Sequence, residues 1–152
     1  MCGANMLRGH ATAKVDEKGR FKIPAEFSAG FLELCGEERR TFMTSQDGER
    51  ILVYPMPVWQ EYEQMLDRLP KADPELDRLR LALSFWGQEI PVDGQGRLRI
   101  HGALLRELAI DGTVSIFGKQ RVLEIWNHDR LAASPPKLDR ASLARLADKY
   151  GL

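Results

Sequence analysis

The residues of this chain that could bind an anion occur in a repeated pattern. Residues 15–23 read V-D-E-K-G-R-F-K-I, and residues 92–100 read V-D-G-Q-G-R-L-R-I. In each copy an Asp lies three residues before a Gly-Arg pair, and a second basic residue follows two positions after the Arg. A guanidinium beside another cation suits the binding of phosphate or of nucleic-acid base edges. The repeat therefore predicts a two-fold related basic surface more readily than an active site.

The spacing within each copy predicts a turn followed by a strand. Gly19 and Gly96 are natural positions for positive φ, and Asp16 and Asp93 can accept hydrogen bonds from turn N–H groups. Side-chain alternation along the strand then puts the basic residues on one face. If the copies pair about a pseudo-two-fold axis, four cations share one surface and three more lie near its rim. The four are Arg20, Lys22, Arg97 and Arg99, and the three are Lys18, Arg8 and Lys14.

Two interpretations of the Asp and Arg residues stay open. In the first, Asp16 pairs with Arg20 and Asp93 pairs with Arg97 only to hold the turn. An exposed pair of that kind contributes at most about 1 kcal/mol to stability. In the second, the same Asp also orients the Arg for phosphate, so that both roles coexist. Basic strands can also be simple solvated faces.

The other chemistry-bearing residues form no recognisable catalytic or metal site. The two cysteines lie far apart and the three histidines are isolated: Cys2, Cys35, His10, His101 and His128. The sequence has no C-x-x-C, H-x-x-x-H, P-loop or nucleophile-elbow pattern. We therefore predict no enzyme activity, no metal, no cofactor and no small-molecule substrate. Both cysteines are expected to be incidental thiols in a reducing compartment.

Composition indicates a globular protein with an uneven charge distribution. The chain has 152 residues, of which 43% are hydrophobic and 29% charged, and its net charge is zero. However, residues 7–22 contain five basic and two acidic side chains, whereas residues 57–89 contain seven acidic and four basic ones. No apolar stretch approaches the roughly 18 residues of a membrane span, and no signal-peptide core is present. We expect a cytoplasmic protein that binds an anion through one face.

The elements that would position the motifs occur in the same order in both halves. Predicted strands are His10–Val15, Arg20–Ile23, Thr41–Thr44, Ile51–Tyr54, Arg97–Ile100, Thr113–Phe117 and Arg121–Trp126. Short helices are predicted from Pro24 to about Phe31 and from Ala103 to Ala109, and a Gly-Lys-Gln turn between the last two strands. Halves of this size are marginal alone, so we expect them to complete each other in one unit or in an oligomer.

Two amphipathic helices are predicted to join the halves. Pro57 starts the first helix and Pro70 ends it, and Asp73-Pro74 starts the second. Their apolar residues recur at helical spacing and are expected in the core or in subunit contacts. These residues are Trp59, Tyr62, Leu66, Leu76, Leu79, Leu83 and Trp86. The tail after Ser134 is polar with a weak apolar stripe, and we expect a loosely held helix or disorder there.

Five segments occur in an order shared with a known family. They are Met6-Leu-Arg-Gly9, Val15-Asp-x-x-Gly-Arg-x-x-Ile-Pro24, Leu52-Val-Tyr-Pro-x-Pro-x-Trp59, Asp93-x-x-Gly-Arg97 and Glu124-Ile-Trp126. Together they resemble the MraZ family of bacterial transcriptional regulators. The resemblance implies two SpoVT–AbrB-type domains in one chain, folded as a swapped-hairpin β-barrel, and self-assembly into rings. It also implies binding to repeats in the promoter upstream of the protein's own gene, at the head of the division and cell-wall gene cluster.

The resemblance assigns the D-x-x-x-R motif as the element that contacts DNA. Carried over by position, Arg20 is the first contact and Arg97 the second, and the supporting cations are Lys18, Lys22, Arg8 and Arg99. The expected fold class is α+β, mainly β, with flanking amphipathic helices. The expected AbrB-like domains are residues 8–56 and 85–129, with a helical connector at 57–84 and a tail at 130–152.

Three functions remain to be separated. The leading one is a ring-forming, sequence-specific repressor, associated with the nucleoid, whose partners are double-stranded promoter DNA and copies of itself. The second is an AbrB-like antitoxin that neutralises a toxin through its C-terminal tail. The third is an oligomeric scaffold whose apolar helix faces assemble subunits without specific DNA binding. A salt-sensitive DNA complex would separate the first from the third, and co-purification of a toxin would identify the second.

Overall fold

The computed structural model describes residues 6–152 and shows a mixed α+β protein. The first half contains β1 (Leu7–Lys14), β2 (Arg20–Lys22), α1 (Ala25–Cys35), β3 (Arg40–Thr44), β4 (Arg50–Pro55), α2 (Met56–Asp67) and α3 (Pro74–Phe85). The second half contains β5 (Gln88–Pro91), β6 (Arg97–Arg99), α4 (Gly102–Glu107), β7 (Thr113–Gln120), β8 (Val122–Asn127), α5 (His128–Ala133) and α6 (Arg140–Tyr150). Both halves therefore follow the order ββαββαα.

The strands of the two halves are interleaved. Six antiparallel strands form one sheet in the order β1-β7-β8-β4-β3-β5, and β2 pairs with β6 in a separate two-stranded ribbon. The first strand of each half crosses over: β1 pairs with β7, and β5 pairs with β3. The central pair, β4 and β8, also joins the halves. The two halves thus complete one sheet, which their small size makes physically necessary.

The main core lies between one face of the six-stranded sheet and a layer formed by α1, α4 and the ribbon. Phe27 and Phe31 of α1 and Leu104 of α4 are at most 1% exposed. They share one cluster with sheet residues such as Ile51 and Ile116. This cluster draws side chains from both halves, so the ribbon is attached to a single continuous core.

The opposite face of the sheet is covered on its β3–β4 side by α2 and α3. Trp59 stacks on Phe42 with ring centroids 4.3 Å apart. Three of the apolar residues predicted on these helices are buried there and two are partly buried: Trp59, Leu66 and Leu83, then Tyr62 and Leu79. Leu76 is half-buried, and Trp86 packs against the main core. The expectation of core packing is confirmed for these helices within one chain.

Helix boundaries agree with the sequence at their starts more than at their ends. The expected start at Asp73-Pro74 is confirmed, because the Asp73 side chain accepts hydrogen bonds from the first backbone N–H groups of α3. However, α1 continues four residues beyond the expected end at Phe31, to Cys35, and α2 ends at Asp67, before Pro70. In α1, Phe31 and Cys35 lie on its buried face, so packing supports the extra turn.

Three elements differ from the expectation. Strand β5 was not predicted, because Glu89 and Pro91 weaken its strand pattern, and it forms by pairing with β3. The predicted Gly-Lys-Gln turn is wrong. Gly118 and Lys119 extend β7, and the chain reverses after Gln120, whose φ is 66°. Helix α5 was also not predicted, and the tail forms a helix, α6, without a buried residue.

The thiol of Cys35 fits the expectation of an incidental buried cysteine. Cys35 is 3% exposed in the main core. Burial raises the pKa of its thiol to about 12, so it stays protonated at neutral pH. Cys2 lies outside the described residues.

Candidate nucleic-acid interface

Asp16 organises the turn of the first motif through both of its carboxylate oxygens. Its Oδ1 accepts hydrogen bonds from the backbone N–H groups of Lys18 and Arg20, each at 2.9 Å. Its Oδ2 accepts a hydrogen bond from the Arg20 Nε, also at 2.9 Å. The backbone closes the same turn, because the Gly19 N–H donates to the Asp16 carbonyl at 3.0 Å. One carboxylate therefore fixes both the turn and the direction of the guanidinium.

The second motif repeats this geometry. The Asp93 Oδ1 accepts from the backbone N–H groups of Gln95 and Arg97, each at 2.9 Å. Its Oδ2 accepts from the Arg97 Nε at 2.8 Å, and the Gly96 N–H donates to the Asp93 carbonyl at 3.0 Å. The predicted Asp–Arg pairing is confirmed in both copies. In each copy one carboxylate thus contacts both the turn N–H groups and the Arg side chain.

These contacts also perturb the titration of the two aspartates. The backbone hydrogen bond from Arg20 is the largest cause of a pKa of Asp16 below its ordinary value of 3.8. The backbone hydrogen bond from Arg97 has the same effect on the pKa of Asp93. Both side chains are therefore anionic at neutral pH, which keeps the turns and the arginines in place.

Pairing of β2 with β6 brings the basic residues of the two motifs together. Arg20 lies opposite Arg99, and Lys22 lies opposite Arg97. The central pair, Phe21 and Leu98, points the other way, and each is 1% exposed. The predicted pseudo-two-fold arrangement is therefore present, with four cations on the outer face of one ribbon and apolar anchors on its inner face.

Backbone hydrogen bonds extend the ribbon symmetrically beyond the paired strands. The Ile23 N–H donates to the Gly96 carbonyl at 3.0 Å, and the Ile100 N–H donates to the Gly19 carbonyl at 2.8 Å. Ile23 and Ile100 are 2% and 1% exposed. Buried residues on the inner face thus attach the ribbon to the core, and its cations lie on the outer face.

The four outer cations have donors available for a ligand. The side chains of Arg20 and Arg97 are 33% and 30% exposed, and their Nη groups have no hydrogen-bond partner among residues 6–152. Lys22 and Arg99 are exposed, and their side chains make no hydrogen bond or ion pair within that range. An arginine whose Nε is held by an aspartate still has its Nη groups available, and these can bind phosphate or guanine bidentately.

The three other predicted cations lie at different distances from the ribbon. Lys18 is in the first turn itself, and Lys14 lines the same cavity as Lys22, between β1 and the start of α1. Arg8, which we expected near the rim of the ribbon, lies six residues before Lys14 on β1, opposite Lys119. Six residues of extended strand span about 20 Å. Arg8 and Lys14 therefore lie near opposite ends of β1.

The acidic helices lie away from the ribbon. Side chains of β4 alternate between faces: Ile51 and Val53 enter the core beneath the ribbon, whereas Leu52 and Tyr54 pack against α2. The acidic residues of α2 and α3 are thus separated from the basic ribbon by the sheet. This separation makes one side of the molecule suited to an anionic partner.

Sequence reasoning missed a buried charge on the sheet face that carries α2 and α5. Glu124 is 6% exposed, and its Oε1 accepts a hydrogen bond from the Trp126 Nε1 at 2.8 Å. The same carboxylate lies 3.5 Å from the Arg50 Nη1 and 3.4 Å from the Lys119 Nζ. Alternation with Leu123 and Ile125 was the available signal for its direction. These pairs tie β4, β7 and β8 together and do not reach the ribbon.

Two other findings concern the described residues. Among residues 6–152, no group of three or more His, Cys, Asp or Glu side chains is placed to hold a metal ion. Within the same residues, no helix has the length and apolar character needed to cross a membrane.

Comparison with known proteins points to one family. A family model described as "MraZ protein, putative antitoxin-like" matches residues 6–81. Transcriptional regulator MraZ of Acidobacterium capsulatum is 36% identical over 124 residues, which cover 82% of this chain and 84% of the relative. The same-named protein of Koribacter versatilis is 33% identical over 126 residues, covering 83% and 85%. That of Methylococcus capsulatus is 32% identical over 146 residues, covering 94% and 93%.

These relatives are named transcriptional regulators, in agreement with the prediction that the chain is not an enzyme. The family match covers the first motif, and the relatives extend over more than four fifths of the chain. The resemblance found in the sequence motifs is thereby confirmed, and this chain belongs to the MraZ family.

Proposed function

We propose that this chain is a sequence-specific transcriptional regulator that binds double-stranded DNA through the β2–β6 ribbon. One observation carries the proposal: four cations share the outer face of the ribbon, and two of them are guanidiniums held by aspartates. A two-stranded ribbon fits the major groove of B-DNA, which is about 12 Å wide. The acidic helices lie beyond the sheet, where they do not oppose the approach of phosphates.

The aspartates preorganise the two leading contacts. Because Asp16 binds the Arg20 Nε, the guanidinium loses little further conformational entropy when its Nη edge meets a base or a phosphate. Asp93 does the same for Arg97. Guanine O6 and N7 accept both donors of such an edge, whereas lysines act as point charges on phosphate. We assign Arg20 and Arg97 as leading contacts, and Lys22, Arg99, Lys18 and Lys14 as supporting phosphate contacts.

The distant cation has a separate assignment. Arg8 lies near the opposite end of β1 from Lys14, so in this proposal it contacts DNA where the duplex extends along β1. We assign it a backbone contact outside the sequence being read.

The finer features implied by the family belong to the same proposal. The DNA is a set of repeats in the promoter upstream of the protein's own gene, and the protein represses that promoter and the division and cell-wall gene cluster. The protein acts as a ring-like homo-oligomer, because several ribbons on spaced repeats gain avidity without new contacts. It is accordingly located on the nucleoid in the cytoplasm.

The fold is proposed to be a tandem swapped-hairpin barrel of the AbrB type. The interleaved pairing supports this, because β1 and β5 each pair with a strand of the other half. The ribbon and the six-stranded sheet enclose the same main core. Residues 8–56 and 85–129 are then two structural repeats, and 57–84 and 130–152 are helical segments that follow them.

Fluorescence anisotropy tests the proposal directly. A labelled duplex from upstream of the gene is titrated with protein beside a scrambled duplex, across a range of salt concentrations. We expect preference for the upstream duplex and a steep salt dependence, with a log–log slope of roughly −3.6 if four phosphates are contacted. Arg20→Ala should weaken binding to the upstream duplex while its thermal unfolding stays close to that of the wild type.

A variant on the other side of the sheet is the matched control. Arg68→Ala removes an exposed cation after α2 and should leave affinity unchanged. Equal, weak binding to both duplexes, with no effect of Arg20→Ala, would contradict DNA binding through the ribbon. The Asp–Arg pairs would then serve only to hold the two turns.

Two observations favour a second candidate function. The matched family model includes the words antitoxin-like in its description, and α6 is an amphipathic helix without a buried residue. An exposed amphipathic helix of this kind suits the binding of a toxin groove. Affinity purification of the tagged chain from its own cells distinguishes the two functions, since an antitoxin retains a stoichiometric small protein and a DNA regulator retains promoter DNA.

A further inference from the structure

A cavity lies on the sheet face that carries α2 and α5, where β7 and β8 meet the end of α5. Its volume is about 660 Å³, within the range of roughly 300–1,000 Å³ that is typical of small-molecule sites. The rings of Phe117 and Trp126 line it, together with Leu131 of α5 and Pro136. His10 stacks on Phe117 with ring centroids 4.6 Å apart. The cavity therefore has the size and the aromatic walls to hold a small molecule with a planar ring.

The pseudo-symmetry of the chain explains why this cavity exists. In the first half, Trp59 of α2 stacks on Phe42 of β3 over the sheet. Strand registers and helix starts place Ser115 at the position of Phe42 and Leu131 at that of Trp59. Ser115 lines an adjoining cavity of about 330 Å³ that also contacts Leu131. Smaller side chains and a helix of six residues instead of twelve therefore leave space in the second half where aromatic rings pack in the first.

The cationic side chains of the cavity have unused hydrogen-bond donors. Arg50 and Lys119 line it, and their nitrogens lie 3.5 and 3.4 Å from the carboxylate of Glu124. The Arg50 Nε is buried without a hydrogen-bond partner among residues 6–152, and an Asp47 carboxylate oxygen is 3.6 Å away. Buried donors without partners are uncommon in proteins. The cavity therefore suits a ligand that supplies hydrogen-bond acceptors.

The charges around the cavity favour an acidic ligand. Four basic and three acidic side chains line this cavity and the one below Trp126, or directly face their lining residues: Arg8, Arg50, Lys119 and Arg130, and Asp47, Glu49 and Glu124. The guanidinium carbon of Arg50 lies 5.8 Å from the centroid of the Trp126 ring. An acidic group attached to a ring that packs against Trp126 is therefore within reach of Arg50.

We infer that this cavity binds a small aromatic anion, a molecule with one planar ring system and one carboxylate or phosphate group. The ring packs against Phe117 and Trp126, and the acidic group accepts hydrogen bonds from Arg50 and Lys119. The cavity lies across the sheet from the β2–β6 ribbon and shares no residue with it. The inference therefore does not depend on DNA binding by the ribbon.

Isothermal titration calorimetry of the full chain tests the inference with two probes. Anthranilate is an aromatic carboxylate and adenosine monophosphate is an aromatic phosphate, so the comparison shows which acidic group the cavity accepts. Aniline and adenosine keep the ring without the acid, and ribose 5-phosphate keeps the acid without an aromatic ring. We expect saturable binding of at least one aromatic anion. Its matched neutral or non-aromatic compounds should bind at least about tenfold more weakly.

Two variants test whether the probe binds in this cavity. Leu131→Trp supplies the ring that Trp59 provides in the first half, so it should abolish binding while the chain stays folded. Lys119→Gln removes a cation whose side chain is 58% exposed, so it should weaken binding of the aromatic anion roughly tenfold without loss of folding. Binding that survives Leu131→Trp, or that Lys119→Gln leaves unchanged, would overturn the inference.

Controls separate this site from the rest of the molecule. Lys71→Gln also removes an exposed lysine that pairs with a carboxylate, that of Asp67 at 2.7 Å, but it lies outside this cavity and should leave probe affinity unchanged. Arg20→Ala should weaken DNA binding and leave probe affinity unchanged, so the two proposals fail separately. Thermal unfolding reports the folding of each variant. No saturable binding of either probe, as expected if the tail or another protein covers this face, would overturn the inference.

Discussion

The two copies of the motif have the same internal geometry and different surroundings. The Arg20 Nε–Asp16 Oδ2 and Arg97 Nε–Asp93 Oδ2 distances are 2.9 and 2.8 Å, and the backbone bonds to Oδ1 are equal. The first copy adds Lys18 and Lys14, where the second has Gln95 and Pro91. The short motif thus fixes its own turn, whereas its neighbours set the local electric field.

The two turns also differ in how closely they approach the rest of the chain. Gly19 is buried, and a Cβ placed there would lie 2.8 Å from the Ile100 carbonyl oxygen and 3.0 Å from the Leu105 Cδ1. Gly96 faces open space at the same position. Both glycines have positive φ, at 82° and 74°. The pseudo-symmetry therefore holds for the backbone and breaks where α4 packs over the first turn.

The largest expected effect tests this difference in packing. Gly19→Ala should lower the free energy of unfolding by about 2–4 kcal/mol, because the positive φ and the close contact with Ile100 act together. Gly96→Ala should cost only about 1 kcal/mol, from its φ alone. Urea denaturation measures both. Equal losses would mean that the first turn relaxes away from α4.

The second prediction concerns DNA affinity. Arg20→Ala should weaken binding roughly 10- to 100-fold, in line with about 1–3 kcal/mol for a bidentate base contact. Arg97→Ala should weaken it less, because fewer cations surround the second copy. Anisotropy titrations at one salt concentration give both values. An Arg97→Ala protein that binds like the wild type would show that only the first copy touches DNA.

The third prediction exchanges the flanking charge between the copies. Lys18→Gln gives the first copy the residue found at Gln95, and it should reduce the magnitude of the log–log salt slope by about 0.9, as expected for one lost phosphate contact. Gln95→Lys should increase it by a similar amount. Anisotropy across a salt series measures the slopes. Unchanged slopes for both variants would place DNA away from the turns.

The fourth prediction has the smallest expected effect and concerns the pH dependence of stability, in which the two copies of the motif should behave alike. Because folding lowers the pKa of Asp16 and Asp93 from 3.8, their stabilisation is fully present above that value. It is lost as the pH falls through the lowered folded values. Asp16→Asn and Asp93→Asn should each remove a similar part of the acid dependence of stability below about pH 4, measured by thermal unfolding across a pH series. If only one variant loses this acid dependence, the Asp16–Arg20 and Asp93–Arg97 pairs do not contribute equally to stability.

Sequence-based predictions agreed best with the structure for features that are set by interactions between residues close together in the chain. The Asp–Arg turns, the outward cations of the ribbon and the start of α3 at Asp73 all follow from hydrogen bonds within a few residues. The sharing of one surface by Arg20, Lys22, Arg97 and Arg99 was also expected, because a duplicated strand suggests a pseudo-two-fold axis.

The sequence-based predictions failed for elements whose structure depends on residues far away in the chain. Strand β5 has a weak strand pattern in the sequence and forms because it pairs with the edge of β3. Gly118 continues β7 instead of turning, because it pairs with both Gly9 and Leu123.

The sequence by itself determined the two turns held by Asp–Arg pairs and the alternation of basic and buried apolar residues along the ribbon. It also determined the amphipathic helices and membership of the MraZ family. These features depend on residue types at fixed short spacing. Only the tertiary structure decided that β1 and β5 exchange between the halves, that the sheet separates the ribbon from the acidic helices, and that α3 has a buried residue whereas α6 has none. The physical reason is that each of these features depends on contacts between residues far apart in the chain, which local pattern does not encode.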